Sequence, residues 1–372
     1  MEYPVKKWAA VVDIVSGKNQ KGVESADGDY PIYGSGGVIG RANAYLCEAG
    51  TTIVGRKGTI NRPIFINERF WNVDTAFGLS PRQELLPKFL FYYCQSFNFK
   101  ALDKSTTIPS LAKRDLLNIE MPVPPIPEQE RIVARIEELF SQLDASVNEL
   151  KTAKERLKVY RQAVLKEAFS GITTTIKLND ILIQKPRNGY SPKGVKYETP
   201  YRNLTLTATT SGKFLDGHFK YVELDIDEKS YLWVKHNDFL IQRANTAEYV
   251  GTTVLYEGID NYYVYPDLMM KFRVAEEINP RFIAYQMQTT LVRRYFQDHA
   301  TGTAGSMPKI NQATVMNTPI FIADHSLQDK IVEKIEKHLP ICDSIEKTVD
   351  TALQQAEALR QSILKKAFER KC

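Results

Sequence analysis

The sequence has few cysteines and histidines, and neither type is arranged as a set of metal ligands. Of its 372 residues, 4 are cysteines and 5 are histidines. No two cysteines form a CxxC pair, and no histidine stands at the spacing of a metal site. We therefore expect reduced thiols and no bound metal, as in proteins of a reducing compartment.

Long hydrophobic runs and a strong charge imbalance are also missing. No stretch of about eighteen apolar residues occurs, so no membrane-spanning helix is predicted and we expect a cytoplasmic protein. The formal net charge is +5, from 49 basic and 44 acidic side chains. This mild basic excess permits a polyanionic partner without requiring one.

Motifs of catalytic sites are absent as well. The glycine cluster in GSGGVIGR has neither the dinucleotide-binding nor the phosphate-binding spacing, and a glycine turn is the simpler interpretation. The histidines form no HExxH motif or similar cluster. We therefore predict no catalytic residue and interpret the chain as a recogniser or a scaffold.

One phrase occurs twice. RQAVLKEAF occupies residues 161–169 and RQSILKKAF occupies residues 360–368, so the residue numbers differ by 199. The same shift aligns EQERIVARIEELF at 128–140 with LQDKIVEKIEKHL at 327–339 without a gap. A repeat at this distance indicates an internal duplication and not a short-period solenoid.

Both copies have the heptad periodicity of a coiled coil, in which apolar residues recur every seven positions. The predicted seam consists of Ile136, Leu143, Leu150, Leu157 and Val164 in the first copy, and Ile335, Cys342, Val349, Ala356 and Ile363 in the second. Pro340 predicts a late start or a kink in the second helix, and Ser326 with Asp329 predicts its capping box. If the seams face each other, the simplest packing is antiparallel, with a globular segment at each end. Two unrelated amphipathic helices, each packed on its own domain, are the alternative.

The two remaining segments are rich in glycine, proline, threonine and aromatic residues, which is typical of β-rich domains with many loops. Traces of the duplication persist in them, because a strand followed by arginine recurs in IVGRKGT and LIQRANT, and TTIPSLAKRDL parallels GSMPKINQATV. We predict an α+β fold in which a long antiparallel two-helix coiled coil separates two globular domains, with a pseudo-twofold internal repeat. The predicted domains are residues 1–126, a helical arm at 127–171, residues 172–325, and a second arm at 326–372.

These segments together resemble a known family. PVPPIPEQERIVARIEELFSQLDA followed by RQAVLKEAFSG is similar to the central shared region of the specificity subunits of type I restriction–modification enzymes. YPIYGSGGVIG and GRKGTINRPIF resemble one class of their target-recognition domains, and GTAGSMPKINQ resembles another. The resemblance covers essentially the full length, in the order recognition domain, helix, recognition domain, helix. LQDKIV and IFIADHS depart from the family pattern, which leaves open a looser end of the shaft or unequal partner contacts.

The resemblance implies a subunit without catalysis of its own. Each recognition domain reads one half of a bipartite site in the major groove of double-stranded DNA, and the helices set the unread spacer. Two adenine-N6 methyltransferase subunits, which use S-adenosylmethionine, dock on the two similar halves. Nuclease–translocase subunits, which use ATP and Mg²⁺, join them, and this chain itself binds no cofactor. On this interpretation the phrase is written twice because the same partner is bound twice.

Residues that contact DNA are predicted from their chemistry and from their position on loops. Arginine and asparagine suit bidentate contacts with guanine and adenine edges. The base-reading candidates are Arg56, Lys57, Asn61, Arg62, Arg243 and Asn245, and the phosphate candidates are Lys113, Arg114, Lys193, Arg202 and Lys309. The alternative for each is a solvated surface charge. Two alternatives for the whole chain also stay open, namely a coiled-coil adaptor that binds only proteins and an endonuclease with an unrecognised site.

Overall fold

A computed structural model describes residues 3–302 and 307–369 of the chain, which separate into two units. The first unit comprises residues 1–152 and 349–372, and the second comprises residues 153–348. Each unit therefore contains a globular part, called its head below, and one segment of each of two long helices. Cys372 and the Thr303–Ser306 part of the GTAGSMPKINQ motif lie outside the described residues.

The first unit begins with short strands and ends in a long helix. Its elements are β1 (Val5–Lys7), α1 (Trp8–Val11), β2 (Val12–Ser16), β3 (Tyr30–Gly34), β4 (Gly37–Ala42), β5 (Thr51–Gly55), β6 (Ile64–Ile66), β7 (Trp71–Asn72), β8 (Ala76–Pro81), α2 (Pro87–Ser96), a 3₁₀ turn (Phe99–Leu102), α3 (Lys113–Leu117), β9 (Glu120–Pro122) and α4 (Ile126–Phe169). β5 is a run of β-branched residues that is buried along its whole length, as expected of a strand in the middle of a core.

The second unit repeats this plan. Its elements are β10 (Thr175–Lys177), a 3₁₀ turn (Leu178–Ile181), β11 (Leu182–Asn188), β12 (Tyr201–Leu204), α5 (Thr207–Thr210), β13 (Phe219–Val222), β14 (Phe239–Gln242), β15 (Thr253–Leu255), β16 (Met269–Val274), α6 (Pro280–Met287), α7 (Thr290–Asp298), α8 (Gln312–Met316), β17 (Pro319–Phe321) and α9 (His325–Phe368). α2 and α6 both begin with a proline, which suits the first helical position because it needs no N–H donor there.

The two heads share one sheet topology. In the first head the antiparallel four-stranded sheet has the order β2-β8-β5-β6, and in the second it has the order β11-β16-β14-β15. A two-stranded sheet, β1-β9 or β10-β17, stands beside each of them. The heads differ in what lies between the shared strands, because the first adds the sheet β4-β3-β7 and the second adds the hairpin β12-β13. The α+β fold with an internal repeat is therefore confirmed, and the divergence is concentrated in these insertions.

A buried ion pair lies under the sheet of the second head. The carboxylate of Asp238 is fully buried, and the ammonium of Lys271 lies 2.9 Å from it with a side chain only 4% exposed. Arg273 bonds the other carboxylate oxygen at 2.8 Å. Lys271 also donates to the carbonyl of Trp233 at 2.7 Å. Burial lowers the pKa of Lys271, and the charge of Asp238 opposes that shift. A buried charge of this kind is stable only with its partners in place.

The two long helices pack against each other within each unit. In the second unit, Arg161 of α4 bonds Asp343 of α9 at 2.5 Å, and Lys334 bonds Glu167 at 2.7 Å. The partner residue falls in number as the first residue rises, so the segments are antiparallel. In the first unit, Arg360 of α9 forms the matching ion pair with Asp144 of α4. The alternative of two helices that pack only on their own domains is therefore wrong.

The repeated phrases attach each helix to a head. Phe169 packs edge-on against Phe282 of α6 with ring centroids 5.5 Å apart, and Phe368 packs against Phe89 of α2 at 5.2 Å. Leu165 and Leu364 are buried in the cores of their units. The duplicated phrase thus has a structural use inside the protein at its arginine, leucine and phenylalanine positions.

A buried glutamine joins the start of each long helix to the head that precedes that helix in the chain. Gln129 accepts the N–H of Leu86 at 2.8 Å, and Gln328 accepts the N–H of Asn279 at 2.9 Å. Both donors lie just ahead of the proline that begins α2 or α6. The glutamine is the polar residue that EQERIV and LQDKIV have in common, so the departure of the second copy from the pattern preserves this joint.

The predicted seam residues all face packed surroundings. Those that are buried are Ile136, Val164, Ile335, Cys342 and Val349, and those that are half-buried are Leu143, Leu150, Leu157, Ala356 and Ile363. Tyr160 and Leu359, which stand three residues after the seam residues Leu157 and Ala356, are exposed. One side of each helix pair therefore stays open to solvent.

The late start and the capping box predicted for the second helix are wrong. α9 begins at His325, so Pro340 does not delay it and lies inside the helix. The carbonyl of Glu336 consequently lacks its usual helical donor, because proline has no N–H. The N-terminus is capped by Asp324, whose carboxylate accepts the N–H of Leu327 at 3.0 Å, and not by Ser326. Within the described ranges, none of the helices is long and apolar enough to cross a membrane.

Candidate nucleic-acid interface

Arg56 and Arg243 occupy the same backbone position in the two heads. Arg56 follows β5, and its N–H donates to the carbonyl of Thr75 at 2.7 Å. Arg243 follows β14, and its N–H donates to the carbonyl of Leu268 at 2.8 Å. The carbonyls of the two arginines accept the N–H groups of Leu111 at 2.8 Å and Ile310 at 2.9 Å. Each arginine is therefore fixed on both sides by backbone hydrogen bonds.

A second loop runs beside each arginine. The N–H of Gly58 donates to the carbonyl of Pro109 at 2.9 Å, and the N–H of Asn245 donates to the carbonyl of Pro308 at 3.4 Å. Antiparallel bridges join Lys57 to Ser110 and Ala244 to Lys309. Residues 56–58 and 243–245 are called the arginine loops below, and residues 108–111 and 307–310 the proline loops. The same two-loop frame thus occurs once in each head.

The arginine side chains differ in their contacts. The guanidinium of Arg56 lies 5.8 Å from the ring centroid of Phe77 and 3.4 Å from the carbonyl of Asp74. The side chain of Arg243 is half-buried, and its guanidinium makes no hydrogen bond or ion pair with any residue that the structure describes. Both guanidinium groups retain donors for an external acceptor. Lys57 and Arg62 are exposed on the same stretch of the first head.

The two predicted asparagines already have partners. The side-chain oxygen of Asn61 accepts the N–H of Phe99 at 2.7 Å. The amide of Asn245 donates to the side chain of Gln242 at 2.6 Å, and its oxygen accepts the N–H of Thr246 at 2.7 Å. A bidentate contact with adenine needs both a donor and an acceptor. Each asparagine would have to share or give up a bond that now shapes its loop.

The predicted phosphate contacts fall into two groups. Lys113 and Arg114 lie on α3, directly after the proline loop of the first head, and the ammonium of Lys113 donates to the carbonyl of Ile14 at 2.6 Å. Lys309 lies in the proline loop of the second head and is exposed. Lys193 and Arg202 lie away from this frame, beside the β12-β13 hairpin. Arg202 is packed against the ring of Tyr262 at 4.4 Å and is 20% exposed, which limits its reach.

The residue immediately before each arginine differs between the two heads, and it constrains the arginine loop in a different way in each. In the first head it is Gly55, where a Cβ would lie 2.2 Å from the carbonyl oxygen of Thr59. In the second head it is the buried Gln242, whose amide donates to the Leu206 carbonyl at 3.0 Å and to the Thr209 hydroxyl at 2.9 Å. One frame therefore supports two loops of different shape.

Sequence reasoning based on charge does not identify two exposed residues of the proline loops. Ile108 is 62% exposed and Met307 is 46% exposed, and their residue numbers differ by 199. The signal for them is an apolar residue immediately before a matched proline in both halves. Among the described residues, no group of histidine, cysteine, aspartate and glutamate side chains is placed to hold a metal ion.

Comparisons with known proteins agree with this arrangement. Residues 2–155 match a family model described as the type I restriction modification DNA specificity domain. The chain is 26% identical over 310 residues to the StySPI specificity subunit of a type I restriction enzyme from Salmonella potsdam. It is 25% identical over 311 residues to the EcoKI specificity subunit from Escherichia coli strain K12. Each alignment covers 78% of this chain and 66% of the relative, so the chain spans about two thirds of these relatives.

A solved structure supports the fold. It concerns complex assembly and conformational transition of the type I R-M system, and one of its chains matches this one with a TM-score of 0.72. The match covers 99% of this chain and 98% of that chain at 14% sequence identity. At this identity the likeness shows a shared architecture.

Proposed function

We propose that this chain, a member of the family of type I restriction–modification specificity subunits, is the DNA-recognition subunit of such a system. Each head reads one half of a bipartite site in double-stranded DNA. The observation that carries the proposal is the repeated frame around Arg56 and Arg243. Two heads that have diverged in their insertions keep the same backbone hydrogen bonds around one arginine each, which supports a shared task at that point.

In this proposal Arg56 and Arg243 contact base edges. An arginine that is anchored through its backbone and keeps free guanidinium donors suits a bidentate contact with guanine in the major groove. Lys57 and Arg62 extend the basic surface of the first head, and Lys309 extends that of the second. Lys113 and Arg114 follow the first frame on α3 and are proposed to contact phosphates.

The long helices are proposed to set the unread spacer between the half-sites. α4 and α9 are 44 residues each, which corresponds to roughly 66 Å at the usual helical rise. One turn of DNA measures about 34 Å, so each helix is about as long as two turns, which is enough to separate half-sites by about one turn.

The same proposal assigns two copies of one partner to the chain. Tyr92 donates to Glu137 at 3.4 Å in the first unit, and Tyr285 donates to Glu336 at 3.2 Å in the second. These contacts show that the duplication gives both units similar surroundings at the helix, and two similar surfaces suit two copies of one partner, an adenine-N6 methyltransferase subunit that supplies S-adenosylmethionine. Nuclease–translocase subunits with ATP and Mg²⁺ complete the complex. Because the arginine, leucine and phenylalanine of the repeated phrase are used internally, its exposed Lys166 and Lys365 are better candidates for partner contacts.

The test is adenine-methylation mapping of DNA from cells that express this chain with its neighbouring methyltransferase subunit. We expect N6-methyladenine in a split motif with a fixed unread spacer, and its loss when this chain is omitted. Methylation that is absent, or that persists without this chain, would contradict the proposal. In that case sequence-selective DNA binding would be abandoned in favour of a protein-binding adaptor.

A further inference from the structure

Each head exposes one large apolar side chain at the tip of its proline loop. Ile108 is 62% exposed and Met307 is 46% exposed, although each stands next to a well-packed frame. Neither belongs to a hydrophobic core of its unit. The two residues correspond to each other in the duplication, so the exposure is repeated as well.

The backbone places these side chains on the loop that runs beside the reading arginines. The bridges between Lys57 and Ser110 and between Ala244 and Lys309 pair the proline loop with the arginine loop in antiparallel fashion. Backbones paired in this way lie about 4.8 Å apart. The rise between neighbouring base pairs is about 3.4 Å. The same pairing sets Arg56 opposite Leu111 and Arg243 opposite Ile310. Ile108 and Met307 therefore stand three residues farther along the proline loop, about 10 Å or three base-pair steps from the arginine.

The proline that follows each apolar residue stiffens the tip. Proline fixes its own φ angle and restricts the residue before it to extended conformations. Ile108 and Met307 are both such residues, so their backbone freedom is small before any ligand arrives. A side chain held in advance loses less conformational entropy on binding, which favours a specific contact.

We propose that Ile108 and Met307 are specificity-determining residues that contact the 5-methyl group of a thymine in the half-site read by the arginine of the same head. The inference rests on the proposed function and names a second pair of reading residues. The 5-methyl group of thymine is the apolar group on the base edges of the major groove, where the other recognition atoms are donors and acceptors. An exposed isoleucine or methionine at this position gains binding free energy from apolar contact only with that methyl group. The two residues differ in shape while their frames match, which suits heads that read different half-sites.

The experiment uses the full-length chain in complex with its methyltransferase subunit, on duplexes that carry the mapped site. Each thymine of each half-site is replaced in turn by deoxyuridine, which lacks only the 5-methyl group. Dissociation constants are measured by fluorescence anisotropy at one salt concentration. We expect one thymine per half-site whose replacement weakens wild-type binding about fourfold, the effect of one buried methyl group.

The variants identify the residue that senses the methyl group. Ile108→Ala should bind the thymine duplex about fourfold more weakly and become indifferent to deoxyuridine in one half-site. It should keep the wild-type response in the other half-site, where Met307→Ala should show the reverse pattern. Ile108→Val retains branched methyl groups and should preserve sensitivity to deoxyuridine. Both alanine variants should melt at the wild-type temperature, because the side chains are exposed.

The outcomes separate this inference from the function on which it rests. A split methylated motif with no thymine whose methyl group matters, or alanine variants that respond to deoxyuridine like the wild type, would overturn the thymine contact alone. Absence of any split motif that depends on this chain would overturn both.

Discussion

The charged residues of the long helices form ion pairs across the duplication. Arg161 and Arg360 are equivalent in the two copies, as are Asp144 and Asp343. Each arginine bonds the aspartate of the other copy, so one interaction is made twice with exchanged roles. The pair in the second unit is extended, because Lys213 of the head also bonds Asp343. The contribution of such an ion pair to the free energy of unfolding depends on how strongly solvent screens its charges.

Asp343 gives the second unit a stability that depends on pH. Burial alone would raise the pKa of Asp343, but hydrogen bonds from Lys213 and Arg161 outweigh this effect and hold the pKa below its ordinary range. A carboxyl group with a lowered folded-state pKa stabilises the fold at neutral pH, and the contribution disappears as the pH falls through that pKa. Because the side chain is 37% exposed, we expect Asp343→Asn to lower the unfolding free energy by at most ~1 kcal/mol at pH 7.

Urea denaturation at neutral pH and at about pH 3 checks this, since an ordinary aspartate is mostly protonated at the lower value. The difference between wild type and Asp343→Asn should shrink in acid. Asp225→Asn serves as the control, because Asp225 is exposed and makes no side-chain bond with the described residues. A difference that stays constant with pH would contradict the role given to the carboxylate.

The buried Asp238 should matter far more than an exposed carboxylate. Asp238→Ala leaves the ammonium of Lys271 buried without its partner, which typically costs about 3–5 kcal/mol of unfolding free energy. The matched control is Asp13→Ala, which breaks the exposed pair with Arg82 and should cost below ~1 kcal/mol. Chemical denaturation measures both. Equal losses for the two variants would show that Lys271 finds another partner or water.

At the scale of elements, the sequence predicts the long helices better than their ends. Heptad periodicity identifies both helices because it repeats over many residues, and each added turn strengthens the pattern. A cap depends on one side chain, and here Asp324 takes the position that Ser326 was predicted to hold. Pro340 shows the same limit, because α9 continues through it although proline lacks the N–H of a helical hydrogen bond.

The attachment of each helix to its head depends on one phenylalanine. Phe169 is buried between Phe282 and Phe321, so Phe169→Ala should lower the unfolding free energy by about 3–5 kcal/mol. Phe368 is only half-buried, and Phe368→Ala should cost less. Val159→Ala, at an exposed position of α4, should stay within ~0.5 kcal/mol of wild type. Thermal or urea unfolding of the full chain gives the ranking, and a reversed order would contradict it.

At the scale of the whole molecule, the sequence reveals the duplication but not how the side-chain contacts of the two heads differ. The correspondence between Arg56 and Arg243 is visible in the sequence as a strand followed by arginine. The backbone hydrogen bonds around each arginine explain why this correspondence persists. The bonds that engage Asn61 and Asn245 are not visible, because they depend on residues brought close only by folding. The different braces at Gly55 and Gln242 are equally hidden, since the two residues share no chemistry.

The two heads should lose selectivity independently. Arg243→Ala should relax recognition of one half-site by ~1–3 kcal/mol and leave the other unchanged, and Arg56→Ala should do the converse. Arg243→Lys should also relax it, because lysine lacks the bidentate fork. Methylation mapping with each variant measures the outcome. Lys309→Ala is the comparison, and its expected effect is weaker binding to all sequences alike. Uniform weakening by Arg243→Ala would instead make Arg243 a phosphate contact.

The exchange of partners between the two helix copies also has an evolutionary consequence. Because Asp144 pairs with Arg360 and Arg161 pairs with Asp343, neither copy of the helix holds a complete pair. A mutation in one copy is therefore tested by selection against the unchanged residue of the other copy. This mutual dependence slows sequence change in the helices. The insertions in each head are not subject to it. The sequences of the two helix copies are therefore constrained to change together, whereas the insertions in the heads are free to change separately.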